Sequence, residues 1–150
     1  MDEMIQEILA TILHIMKNSS LSESFIEKVL IRLLSFGYRL QEDDSFPICF
    51  AIQKVENHIK NSCNTTSVPD GLFDVAVDMV CGEFLFTKKQ TGKLELADLD
   101  LSGAITSIKE GDVQVNFGTG ASDDEKFNAY LNYLLHDGEG DFVCCRKIKW

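Results

Sequence analysis

The sequence predicts a mainly α protein: a small helical bundle of four to five helices with a β-hairpin and an extended C-terminal arm. Three observations carry this. Apolar residues recur at helical spacing in five separate stretches, each bounded by capping or turn residues. One stretch, 105–117, alternates instead with the period of a strand. The last ten residues are apolar and basic in a chain whose net charge is −10.

Residues 2–17 read as the first helix, with Met4, Ile5, Ile8, Leu9, Ile12 and Met16 on one face. Asn18-Ser19-Ser20 breaks it, and Ser20 or Ser22 is placed to cap the next helix. That second helix runs to about Phe36 on a stripe of Phe25, Ile26, Val29, Leu30, Leu33 and Leu34. Gly37 suits its C-terminal cap. Asp43, Asp44 or Ser45 is expected to cap a third helix, with Pro47 in the tolerated first turn and Ile48, Ile52, Val55 and Ile59 as its stripe. Residues 61–70 read as a polar loop. The fourth helix, from about Pro69 to Lys89, is apolar nearly all round, as expected of the most buried helix.

After Gly92, Leu94, Leu96, Leu99 and Leu101 interleave with Glu95, Asp98 and Asp100, as in an irregular or extended segment. The β-like runs 105–109 and 113–117 flank the turn Glu110-Gly111-Asp112 and read as a hairpin. Its apolar positions are Ile105, Ile108, Val113, Val115 and Phe117. An isolated two-stranded hairpin is marginal in water, so it must pack on the helices or on a neighbouring chain. Ser122 is expected to cap a last helix ending near Leu135, with Phe127, Tyr130, Leu131 and Leu134 facing inward. Gly138 and Gly140 end it and form a flexible root for the arm 141–150. With 150 residues, the chain suits one domain, 1–150, and one modest core.

Composition excludes several function classes. The chain is 45% hydrophobic and 25% charged, ordinary for a globular protein. No apolar run approaches a membrane span, and the acidic start Met1-Asp2-Glu3 does not suit a signal peptide. Five cysteines, including the adjacent Cys144 and Cys145, lack a disulfide or zinc spacing and suit reduced thiols. The acidity argues against DNA binding through the general surface, because such affinity comes from Lys and Arg on phosphates. It is compatible with lining a channel through which DNA slides.

No motif carries chemistry. His14, His58 and His136 are scattered, without a second ligand at metal spacing. Asp137-Gly138-Glu139-Gly140-Asp141 opens like a calcium loop, but Phe142 and Ile148 stand where glycine and glutamate are required. Gly118-Thr119-Gly120 lacks a phosphate-binding lysine and is followed by Asp123, Asp124 and Glu125. Asp74 and Asp78, one helical turn apart, read as a solvent stripe or a subunit contact rather than an acid–base pair. The expectation is no enzyme, no metal and no cofactor. The segregated charge is more informative. Residues 144–150 concentrate Arg146, Lys147, Lys149 and the only tryptophan, Trp150. One reading of this end is an ordinary solvated terminus; the other, since tryptophan and arginine anchor interfaces, is a docking arm made of Phe142, Arg146, Lys147, Ile148, Lys149 and Trp150.

Three stretches in order also resemble the head–tail connector (adaptor) proteins of tailed bacteriophages and prophages. They are Glu56-Asn57-His58-Ile59-Lys60-Asn61-Ser62-Cys63-Asn64 with Val68-Pro69-Asp70-Gly71-Leu72 entering the helix Phe73 to Phe86; the run Ile105 to Phe117; and Phe127-Asn128-Ala129-Tyr130-Leu131-Asn132-Tyr133-Leu134-Leu135 with the ending Arg146-Lys147-Ile148-Lys149-Trp150. The resemblance covers about Leu33 to Trp150 and leaves residues 1–20 outside. It implies a small helical protein with a β-hairpin that assembles as a ring, usually dodecameric, beneath the portal protein. The ring would extend the DNA channel without binding DNA specifically and would present a surface to the next neck or tail-completion protein. Residues 105–117 would then lie at inter-subunit contacts, residues 142–150 would reach the portal, and the acids near Glu95, Asp98 and Asp100 would line the channel or a neighbour. The site of action would be the virion neck, after assembly in the bacterial host cytoplasm. A different class of reading is a small cytosolic helical regulator that binds a protein or DNA; the lack of a basic helix weighs against DNA. A third is an accessory subunit of an enzyme.

Overall fold

Helix α1, Glu3–Ile15, buries Ile5, Ile8, Leu9 and Ile12 against α2, Glu23–Ser35, and α3, Ser45–Cys63. The computed structural model describes residues 3–17, 21–94, 99 and 123–142. Helix α4, Phe73–Gln90, packs against α2, α3 and α5, the last spanning Asp123–His136. The near-continuous apolar sequence of α4 has this cause: with neighbours on three sides, most of its circumference is removed from water. The mainly α expectation holds, with five α-helices and no strand among the described residues. None of these helices is long and apolar enough to cross a membrane.

Local chemistry sets the helix ends. Ser22 has extended backbone angles, and its hydroxyl accepts the Phe25 N–H, satisfying one of the free donors of the first turn of α2. Gly37, at φ +84°, closes α2. Its N–H donates to the Leu34 carbonyl and that of Tyr38 to the Leu33 carbonyl, the paired bonds of a Schellman motif. Helix α3 extends to Cys63, further than its polar ending suggested, and stops at left-handed Asn64. Helix α4 begins at Phe73 after a 3-10 turn, Asp70–Leu72.

Two expectations are corrected. Asp44 does not cap α3 with its side chain. Its carboxylate accepts the Gln41 N–H, the Tyr38 hydroxyl and the Lys88 ammonium, each at 2.8 Å. Asp44 and Lys88 are almost fully buried, at 0% and 4% side-chain exposure. The root Gly138–Gly140 is not a loose hinge, since Asp137–Asp141 forms a 3-10 helix. Gly138 lies so close to α4 that a Cβ there would collide with the Val75 side chain.

The hairpin positions Ile105, Ile108, Val113, Val115 and Phe117 lie outside the described residues. So do Glu95, Asp98, Asp100, Arg146, Lys147, Ile148, Lys149 and Trp150.

Candidate functional site

The stripe that buries α3 also decides what α3 leaves outside. Ile48, Ile52, Val55 and Ile59 enter the core. Phe46 and Phe50 lie two positions from Ile48 and Ile52, about 200° around the helix, and so face away. They remain 63% and 70% exposed. One turn apart, they stack along the same face. Phe46, Pro47, Phe50, Ala51 and Lys54 of α3, with Glu83 and Thr87 of α4, line a hollow of about 320 Å³.

A second hollow, of about 160 Å³, continues from it and shares Lys54 and Glu83. Lys54 Nζ bridges to Glu83 Oε2 at 3.1 Å. The two hollows form one groove along α3 and α4, crossed by this ion pair. Its other end holds His58, Met79, Leu135, His136 and Glu139. Glu139 Oε1 sits 3.5 Å from His58 Nε2 and 3.2 Å from His136 Nδ1. Two histidines that are far apart in sequence therefore meet on one carboxylate, and nothing in their spacing announced it. Among the described residues no group of three or more His, Cys, Asp or Glu side chains is arranged to hold a metal ion.

Phe142 packs against His58 and Cys63 at the C-terminal end of α3. Its ring lies 5.7 Å from that of His58, and its carbonyl accepts a weak bond from Cys63 Sγ at 3.7 Å. At 4% exposure, Phe142 belongs to this chain's own core. Its expected place on a partner-facing arm is corrected: an aromatic ring beside the end of α3 is removed from water without a partner.

A third hollow, about 460 Å³, lies between α2 and α4. Asp74 and Asp78 occupy its rim as α2 contacts. Lys28 Nζ is 4.0 Å from Asp74 Oδ1, and Arg32 Nε is 3.1 Å from Asp78 Oδ1. Partial burial works to lower the Arg32 pKa, but the Asp78 charge and hydrogen bond outweigh it and hold the guanidinium above its ordinary value. Its planar group also lies over the Phe36 ring at 5.0 Å. Because each cation faces a carboxylate, this hollow offers no converging positive charge to an anion.

The groove ending at Phe46 and Phe50 can bind apolar side chains flanked by charge. No protein-family model, no curated protein and no solved structure matches this chain.

Proposed function

We propose that this chain is a head–tail connector (adaptor) subunit of a tailed bacteriophage or prophage. It acts mechanically: copies close into a ring beneath the portal protein, extend the DNA channel and carry the next neck or tail-completion protein. Support comes from the sequence resemblance and from one observation of the fold. Large apolar side chains stay exposed on different helices, Ile31 and Leu34 on α2 and Phe46 and Phe50 on α3. Exposed apolar area of this kind marks surfaces that partners cover. A closed ring requires two different faces of each subunit to meet. Residues 105–117 serve as inter-subunit contacts in this reading. Arg146, Lys147, Ile148, Lys149 and Trp150 form the portal-reaching arm, now beginning after Phe142.

The deciding experiment is an image of the purified particle neck with density assigned to this chain. A closed ring against the portal is expected. A single copy, or a helical stack, would reject the reading.

A further inference from the structure

We propose that the outward stripe of α3 is a docking face for a second copy of this chain, the copies pairing antiparallel about a two-fold axis so that each Phe46 packs on the partner's Phe50. The inference goes beyond the connector reading and stands or falls without it.

The order of residues along the stripe carries it. Glu42 and Asp43 stand within one turn before Phe46, and Lys54 stands one turn after Phe50. All five side chains are exposed. From its N-terminal end the face therefore runs acid, aromatic, aromatic, base. Laid antiparallel on a copy of itself, such a stripe is complementary along its length. An axis at the level of residue 48 sets positions 46 and 50 opposite each other. The same axis sets position 42 opposite position 54, because each pair is equally distant from it. Acids then meet the partner's Lys54 at both ends, and aromatic rings meet in the middle. Two copies of net charge −10 repel overall, so a face that pairs with itself needs such local opposition. Isologous two-fold contacts of this kind are the commonest between identical chains.

The groove beside the stripe gives the rings room. The hollow of about 320 Å³ between α3 and α4 opens along Phe46 and Phe50, with Ala51 and Thr87 also in its lining. Helices pack by setting a ridge of side chains into the groove of a neighbour, and this hollow is that groove for the partner's rings. Lys54 bridges Glu83 at 3.1 Å yet stays 68% exposed. Its ammonium has three donors, so it can hold Glu83 and the partner's acid together. The end charges set register more than affinity, which the aromatic rings supply. On the connector reading, the pair is a storage form that opens when the ring takes over this face.

Sedimentation equilibrium of the full chain at physiological salt should show a reversible monomer–dimer equilibrium. The double substitution Phe46→Ser and Phe50→Ser changes only exposed side chains. It should leave far-UV circular dichroism unchanged and weaken dimerisation by roughly 30-fold or more. Charge exchange tests the register. Lys54→Glu alone sets acids against acids, and Glu42→Lys with Asp43→Lys alone sets lysines against Lys54. Each variant should be monomeric where the wild type dimerises. Mixed in equal amounts, the two should recover a dimer, because one copy of each restores opposite charges at both ends. A wild-type chain that stays monomeric at millimolar concentration overturns the proposal. So does a dimer that survives the double serine substitution, because another face then pairs. Folded charge variants that dimerise separately, or that fail to recover on mixing, reject the two-fold register. An assembly larger than two that the serine substitutions abolish assigns the face to a head-to-tail contact and also rejects the proposal.

Discussion

Asp44 is the residue on which most of the buried polar chemistry converges. A lone buried carboxylate would be costly, but here it receives a tyrosine hydroxyl, a backbone N–H and an ammonium. Removing one member of such a cluster strands the others. Lys88→Met should therefore destabilise the protein by about 3–5 kcal/mol, and Tyr38→Phe by roughly 1.5–3 kcal/mol, measured by urea unfolding. Asp44→Leu combined with Lys88→Met should cost less than the single changes summed, because no charge is left unpaired. The buried thiols and phenols set the alkaline limit. Burial pushes Cys49 up to about 11 and raises Cys81, where the Asp78 charge adds to the effect. Tyr38 is raised by burial and then by its bond to Asp44, and Tyr130 mainly by burial. In the unfolded chain the thiols ionise near ~8.5 and the phenols near ~10. The unfolded state thus loses protons first as pH rises. Stability from these groups is complete below about pH 8.5 and falls as pH climbs toward the folded values. Urea midpoints measured from pH 7 to 11 should stay level and then decline; a midpoint still rising above pH 9 would contradict this.

At the scale of elements, the ends of helices and the closest approaches between them make the sharpest tests. Ser22→Ala removes the cap of α2 and should cost about 1 kcal/mol. Gly37→Ala forces a β-carbon into a left-handed backbone and should cost roughly 1–2 kcal/mol. Gly138 behaves differently, because its constraint is space, not backbone angle. Gly138→Ala should cost about 1–3 kcal/mol by overpacking against Val75. Val75→Ala in the same chain removes the two methyl groups that the new β-carbon meets and should restore part of the loss. Thermal unfolding of the single and double variants measures that coupling. If Val75→Ala gives no rescue, the 3-10 helix does not sit on α4 as described.

For the whole molecule, the described core extends to Phe142. A chain ending at Phe142 should keep its helix content and near-full stability. One ending at Asp141 should lose roughly 3–5 kcal/mol, the usual loss for a buried phenylalanine, by the same urea measurement. On the connector reading, the chain ending at Phe142 should still leave heads unjoined to tails, scored by electron microscopy of lysates. Normal particles from that truncation would remove the arm from assembly. The net charge of −10 bears on the channel. Free protein should not retain duplex DNA at physiological salt, and salt-sensitive micromolar retention would favour a DNA-binding regulator instead.

Helix positions, the buried stripes and the central place of α4 were legible because they depend on neighbours along the chain. Three or four residues of spacing report which face of a helix is apolar, and Ser22 and Gly37 act within one turn of themselves. The same stripe on α3 also implies an outward Phe46 and Phe50, since residues two positions apart on a helix face opposite ways. Long-range meetings left no such trace. Asp44 and Lys88, or His58 and Glu139, come together only because distant elements pack side by side. Phe142 shows the difference most plainly. Beside two glycines and a basic run it has the local look of an arm, yet packing against the end of α3 removes it from water. Burial is a property of what the rest of the chain brings near, and spacing along one segment does not contain it.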